Sequence, residues 1–460
     1  MSESLRVKSS EYIDETTRVS FKFNGKTYFG FKGDTLASAL IANDVHLVGR
    51  SFKYHRPRGI MSAGSEEPNA IVQVGNDSAL TEPNVRATEI EIHEGLEANS
   101  QNCWPSVNFD IGGINNLLSP FIPAGFYYKT FMWPANFWKK YEYFIRHAAG
   151  LGKSPKTDDP HQYEHFHYHC DLLVVGGGVS GLYTAEIAAD ENLKVLLVEQ
   201  EADLGGALLA EQDTTKKINE LSVNEWRNNI INYLSNKNNL KIITSTTLFA
   251  YMHYNYLLAI QELDPSKGYQ KNNNIRQIIW KIRAKKVILA TGSIERPLTF
   301  NNNDRPGIML ANSASKFLNY YGVFIGKKVV VFTNNDSAYQ TAIDFHQKGI
   351  TVQAIVDVRS ESQGDLPQRA KSLGLKIYNN HAITNTSGRL KIQTAAINKI
   401  DDSIKNINSS TNVIKCDLLC ISGGWTPTVH LFTQSRGKLI YRESDATFVP
   451  DKSFENEISI

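Results

Sequence analysis

Apolar and polar positions fall into two rhythms along this chain. From residue 171 the sequence reads DLLVVGGGVSGLYTAEIAADENLKVLLVEQEADLGG. Leu172 to Val175 make an unbroken run rich in β-branched side chains, the pattern of a strand buried on both faces of a parallel sheet. A helix follows at once, and a second apolar strand spans 194–198. The same alternation returns later. Residues 285–290 form a strand, and KKVVVFTNNDSAYQTAIDFHQKGITVQAIVDV repeats strand, turn, helix and strand, with Gly349 closing the helix and Asp357 ending the last strand. Residues 416–422 form one more strand. Ahead of these, 19–24 and 27–31 alternate with period two and join through Asn24-Gly25, a hairpin signal. Asp34 is placed to cap a helix through Leu36, Ala39 and Leu40 to Asn43. Strands at 70–74 and 88–93 complete a small sheet crossed by one helix.

The predicted class is therefore α/β: a ferredoxin-like β-grasp domain at the N-terminus, then a two-dinucleotide-binding-domain, Rossmann-like flavoprotein architecture. A length of 460 residues agrees with about three domains. The expected divisions are a β-grasp domain over 1–100, an aromatic and proline-rich connector over 101–168, the first part of a dinucleotide domain over 169–325, an inserted second Rossmann-like domain over 326–415, and a truncated return to the first over 416–460.

Candidate chemistry concentrates where the first strand ends. Gly176, Gly178 and Gly181 have G-x-G-x-x-G spacing. Each has its own steric role, in turn a sharp bend out of the strand, close approach of a pyrophosphate to bare backbone, and packing of helix on strand. The helix N-terminus then offers free N–H groups and a positive dipole end. Glu199 ends the next strand about 20 residues on, where a carboxylate accepts both hydroxyls of an unphosphorylated ribose. Gly205 and Gly206 allow a loop to close over the pyrophosphate. Thr291 and Gly292, in A-T-G after the 285–290 strand, either bring backbone back to the cofactor or simply end a strand. In the second unit the glycines are replaced by Thr333, Asn334, Asn335, Asp336 and Ser337. A Cβ obstructs pyrophosphate and Asp336 repels it, so this unit is read as Rossmann-like without a nucleotide.

Composition narrows the classes. The formal net charge of +2 leaves no electrostatic footprint for nucleic acid or an anionic membrane. The start, MSESLRVKSSEY, lacks the apolar core of a secretory signal. Cys103, Cys170, Cys416 and Cys420 form no C-x-x-C pair, and the last two, four apart, are expected on one strand face as buried thiols in a reducing, cytoplasmic protein. The loop GRSFKYHRPRGIMSAGSEEP follows the β-grasp helix, where a plant-type cluster needs C-x4-C-x2-C, and holds no cysteine. Its Arg50, Lys53, His55, Arg56 and Arg58 read either as a solvated charge run or as a grip for a phosphate or flavin phosphate. The aromatic stretch 104–138 is interrupted by Pro120, Pro123, Lys129 and Pro134, too often for a membrane span, and reads as a surface pressed on a neighbouring domain or subunit. His161, His165, His167 and His169 make only a partial metal shell, and no metal site is assigned.

The segments SFKYHRPRGI, GFYYKTFMWP, DLLVVGGGVSGL, FTNNDSAYQTA and ISGGWTPTVHLFTQS, in this order, resemble the α subunits of heterotetrameric sarcosine oxidases over residues 18–450. The resemblance implies non-covalent NAD in the glycine-rich domain, with contacts at Ser180, Glu199, Gln200, Glu201, Ala207 and Leu248; for Leu248 ordinary core packing is the alternative. It also implies FMN shared with a β subunit, FAD and the sarcosine site in that partner, and further γ- and δ-type subunits. Similar His-x-His-x-Asp leads enter the first strand in that family. Family members continue into a folate-binding domain beyond the point where this sequence stops, so it reads as a fragment or a split subunit, and folate chemistry is not assigned to it.

The expectation is thus an α-type subunit of a complex that demethylates sarcosine oxidatively to glycine with peroxide formation, with no catalytic residue on this chain. The alternatives are a stand-alone FAD-dependent pyridine-nucleotide reductase and a structural subunit of a proline or amine dehydrogenase complex.

Overall fold

The computed structural model describes residues 4–7, 12–76, 78–122, 125, 133–213, 215–263, 275–401 and 407–451. The chain divides into two compact units, one of residues 1–159 with 297–423, the other of 160–296 with 424–460.

In the first unit, Lys26–Lys32, Asp14–Phe23, Leu96–Ser100, Ile71–Val74 and Glu82–Arg86 lie in that order in one sheet. Asp14–Phe23 and Leu96–Ser100 run parallel, and the other pairs are antiparallel. Every residue of the helix Leu36–Ala42 is buried, because its run of small and aliphatic side chains can pack on all sides. Two local readings change. The cap is Thr35, whose side chain accepts from Ser38 N–H; Asp34, one residue earlier, instead accepts from Arg6 at 2.6 Å and from Ser38 Oγ at 2.7 Å. Residues 88–93 are not a strand. Their backbone and that of the preceding Ala87 serve the helix start: Leu36 N–H donates to Ile90 O and Ala37 N–H to Ala87 O. The fourth and fifth strands are Glu82–Arg86 and Leu96–Ser100.

The same unit holds a five-stranded parallel sheet, ordered Ile308–Leu310, Leu418–Ser422, Lys328–Thr333, Thr351–Asp357 and Ile377–Tyr378, with the helix Ser337–Gln347 crossing over it. A three-stranded antiparallel sheet of His381–Ser387, Thr394–Ile400 and Ile407–Lys415 follows. The expected boundaries shift accordingly. Leu418–Ser422 pairs with Lys328–Thr333 rather than with the first dinucleotide sheet, and the strand, buried at every residue, lies inside a parallel sheet where both faces are covered. The return to the other unit comes at Gly424, and the first part of that unit ends at Arg296. Cys416 precedes the strand and packs with Leu419 and Ile421, whereas Cys420 alternates with those two along the strand, so the two thiols do not share a strand face.

In the second unit, Leu240–Ile243, Val195–Val198, Gln162–Val175 and Ile275–Leu289 run parallel, and Tyr256–Glu262 and Thr246–Met252 extend the sheet antiparallel. Helices Val179–Asp190 and Val223–Ser235 cover one face through Leu182, Ala185, Trp226, Ile230 and Leu234. The strand Gln162–Val175 carries His165, His167 and His169 on its exposed first half, and among the described residues no His, Cys, Asp or Glu group is arranged to hold a metal. In the connector, Trp138–Ala149 is a helix, whereas Pro123, Lys129 and most of the GFYYKTFMWP segment lie outside the described residues.

Arg6 also donates to Tyr321 O at 3.0 Å, so one guanidinium ties the chain start to the β-grasp helix and to the segment after the 311–319 helix. Arg6→Ala would leave the fully buried Asp34 carboxylate short of its charged donor. The expected loss is about 1.5–3 kcal/mol in the denaturant transition of this unit, followed by circular dichroism; an unchanged midpoint would show that the pair contributes nothing.

Candidate functional site

The fingerprint turn forms where the strand Gln162–Val175 gives way to the helix Val179–Asp190. Gly176 has φ +105°, and a Cβ there would lie 2.4 Å from Ala290 O. A Cβ on Gly181 would lie 1.8 Å from Gly176 O. Glycine is therefore required at both positions by close backbone approach. Gly178 differs. Among the described residues a Cβ there meets nothing within 4 Å and no side chain caps the helix it begins, so its N-terminal face presents main chain.

Glu199 is 8% exposed at the end of Val195–Val198, and its carboxylate turns toward this loop. It accepts from Gly177 N–H at 2.5 Å and from Glu201 N–H at 2.8 Å. Burial raises the carboxyl above its ordinary value, with the Glu201 and Gly177 donors opposing. Gly205 N–H donates to Gly177 O at 2.9 Å, and a Cβ on Gly206 would lie 3.2 Å from Gly178 Cα, so the second glycine pair closes over the first. The A-T-G turn lies alongside: Ala290 N–H bonds Val175 O, Thr291 Oγ1 donates to Thr428 O at 2.7 Å, and Gly292, with φ +64°, accepts from Thr428 N–H.

The structure thus brings Gly176, Gly178, Gly181, Glu199, Glu201 and Gly206 together, with Thr291 and Gly292 on the neighbouring strand end. Ser180, Gln200 and Ala207 are exposed around them. Leu248 packs into the apolar cluster with Cys170, Leu173 and Trp280, the core reading of that position. Two residues escaped sequence reasoning. Gly177 fills an x of the fingerprint, yet a Cβ there would lie 2.5 Å from Leu204, and its N–H is what positions Glu199. Arg227 is buried among Val223, Trp226 and Ile230, and its Nε donates to Leu204 O at 2.6 Å beneath the Gly205–Gly206 loop. A cation within the apolar stripe of an amphipathic helix was the available signal.

The second strand–turn–helix unit is filled from within. Thr333 Oγ1 accepts from Asn335 N–H, and Asn335 Nδ2 donates to Ser422 Oγ, each at 3.0 Å. Asp336 pairs with Arg359 at 2.7 Å. Asp357, in the strand-end position that Glu199 holds in the first unit, is fully buried and accepts from Tyr339 Oη at 2.8 Å and from Arg359 at 2.7 Å. The cations after the β-grasp helix are likewise engaged inside the first unit. Arg50 donates to Val107 O, His55 Nδ1 lies 2.7 Å from Asp110, and Arg56 and Arg58 flank Asp304.

Known proteins resemble this chain over two stretches. A family model described as a 2Fe-2S iron-sulfur cluster binding domain matches residues 16–103, and one described as a pyridine nucleotide-disulphide oxidoreductase matches 170–455. Sarcosine oxidase subunit alpha of Rhizobium meliloti (strain 1021) is 40% identical over 453 residues, covering 98% of this chain and 44% of the relative. The subunit of that name from Corynebacterium sp. (strain U-96) is 32% identical, over 97% of this chain and 41% of its own length. The chain therefore spans less than half the length of these relatives. In fold it is similar to the L-proline dehydrogenase from P. horikoshii, with a TM-score of 0.61, 18% identity, and coverage of 98% of this chain and 67% of that one.

The glycines separate fold from ligand. Gly181→Ala is expected to destabilise the second unit, seen as a lower melting temperature, because a Cβ cannot sit 1.8 Å from a carbonyl oxygen. Gly178→Val is expected to leave melting within a few degrees of wild type, since its backbone is extended with φ −75° and the space is open, while the purified protein no longer retains a dinucleotide. Full retention by Gly178→Val would overturn the site.

Proposed function

The chain belongs to the pyridine nucleotide-disulphide oxidoreductase family, and we propose that within it the chain serves as an α-type subunit of a sarcosine oxidase complex. The observation that carries this reading is similarity at 40% identity along 98% of the chain to a sarcosine oxidase α subunit, a span that includes both the β-grasp and the dinucleotide parts. In this reading the second unit holds NAD. Bare backbone at Gly178 and the helix N-terminus receive the pyrophosphate, the Gly205–Gly206 loop closes beside it, and Glu199 accepts the adenosine ribose hydroxyls. Ser180, Gln200, Glu201, Ala207, Thr291 and Gly292 line the remainder. The chain also forms part of an FMN site shared with a β-type subunit. FAD and the amine-oxidising residues belong to that partner, and peroxide is the reduced product. The exposed aromatic run of Trp104, Phe109, Phe121 and Trp133 suits burial against such a partner. Among the described residues no helix is long and apolar enough to cross a membrane.

A second reading is a stand-alone FAD-dependent reductase, favoured by the family match and by a Glu199 that suits the ribose of FAD as well as that of NAD. The filled turn at Asn335 and Asp336, and an Asp357 already paired with Arg359, count against it, because such an enzyme uses two nucleotide sites. The third reading, a structural subunit of a proline or amine dehydrogenase complex, shares the fold and differs in substrate.

Two measurements test the proposal. Nucleotides released from the purified protein and its co-purifying partner are expected to comprise NAD from this chain and flavin from the complex; FAD as sole ligand would favour the reductase. The complex is expected to oxidise sarcosine in preference to proline, and the reverse preference would move it to the dehydrogenase reading.

Glu199→Gln is expected to weaken NAD retention by about 10- to 100-fold, the loss of a charge-assisted hydrogen bond. Ribose hydroxyls donate to the ionised acid, whose pKa is raised by burial. Retention therefore falls as pH drops through that raised value, above the ordinary glutamate range. For the ligand-free protein the sign is opposite: a raised pKa favours the neutral form, so this group's stabilisation is lost as pH rises through it. NAD affinity independent of pH down to the ordinary glutamate value would contradict a role for Glu199.

A further inference from the structure

The β-grasp part matches a cluster-binding family, yet its loop has no thiol, and the fold shows what stands there instead. Three ligands of a plant-type cluster follow the spacing C-x4-C-x2-C in the loop after the helix. Laid along residues 49–70, that spacing meets three buried positions in one register only: Ser62, Glu67 and Ala70, which are 0%, 1% and 0% exposed. A fourth buried residue closes the figure. Thr88 Oγ1 donates to Gly64 O at 2.7 Å, and its neighbour Ala87 donates from N–H to Ala70 O at 2.8 Å. A serine, a glutamate, an alanine and a threonine cannot hold two irons, so the donor set does not fit the group the family implies.

The Glu67 carboxylate turns back into its own loop and gathers four backbone donors. Oε2 accepts from Met61 N–H at 2.8 Å and Ser62 N–H at 2.6 Å, and Oε1 from Asn69 N–H at 2.7 Å and Ala70 N–H at 2.9 Å. Converging N–H groups of this kind form an anion nest of the sort that surrounds iron–sulfur sites. Ser62 Oγ, a thiol's nearest oxygen analogue, is buried and has no hydrogen-bond partner among the described residues. We infer that this domain retains the architecture of an iron–sulfur loop in which the Glu67 carboxylate takes the place of the cluster as the anion that holds the loop closed. The domain keeps its shape without metal, and Ser62, Glu67, Ala70 and Thr88 mark the four corners of the replaced site.

The test restores the thiols in the full chain. The variant Ser62→Cys/Glu67→Cys/Ala70→Cys/Thr88→Cys, treated anaerobically with ferrous iron and sulfide and then desalted, is expected to keep about two irons and two sulfides per chain, with the visible absorption of a [2Fe–2S] centre, while wild type treated alongside keeps none. A variant with wild-type circular dichroism that keeps no iron, or a wild type that keeps a cluster, would overturn the inference. Should the fourfold variant not fold, hydrogen exchange on Glu67→Ala decides. Exchange of the Met61, Ser62, Asn69 and Ala70 amides is expected to speed up by at least about tenfold, the equivalent of one lost hydrogen bond, with the strand Asp14–Phe23 unchanged. Unaltered exchange at those four amides would show that the carboxylate does not hold the loop.

Discussion

The arrangement rests on two absent methyl groups. Where strand, turn and helix meet, Gly176 and Gly181 allow a carbonyl from the neighbouring strand and one from the turn itself to come within distances that no side chain tolerates. That approach seats the helix Val179–Asp190 directly above the sheet with its first N–H groups facing open space, and it sets Gly177 where its N–H meets Glu199. Any larger residue would tilt the helix away, and the acid and the bare N-terminus would no longer converge.

The chain contains this strand–turn–helix–strand design twice, and the two turns differ in what fills them. At the first, a Cβ on Gly178 would meet nothing within 4 Å and, among the described residues, the strand-end acid accepts from the Gly177 and Glu201 backbone donors. At the second, side chains of Asn335 and Asp336 occupy the turn, and the strand-end acid is clamped by an arginine two residues on and a buried tyrosine. Ion pair and hydrogen bonds thus engage the polar groups of this turn and strand end from within the unit. The β-grasp loop follows the same principle with a different ligand class, one glutamate filling a ring of N–H donors.

The glycine fingerprint and Glu199 were legible because their demands are local: a positive φ, a backbone contact and an acid at a strand end are each written within a short window. Arg227 was not, because its partner, Leu204 O, lies across a loop from a different helix. Leu248 was left open between ligand and core because an aliphatic residue near a strand end serves either role until its neighbours are known. The cationic loop was left open between a solvated charge run and an anion grip for the same reason. Asp110 and Asp304, which answer His55, Arg56 and Arg58, come from remote segments.

By itself the sequence determined the kinds of element and their order: the hairpin at Asn24-Gly25, the buried strand before the glycines, the helices that follow, and the absence of cluster thiols. Period and spacing carry that information along a single stretch of chain. Tertiary structure alone decided which strands share a sheet and so where the units divide. Leu418–Ser422 is as fully buried as Val195–Val198, and only its hydrogen-bonded neighbours assign it to the other sheet. It also decided which polar groups remain available, because a charge is engaged or free according to what folding brings within about 3 Å of it.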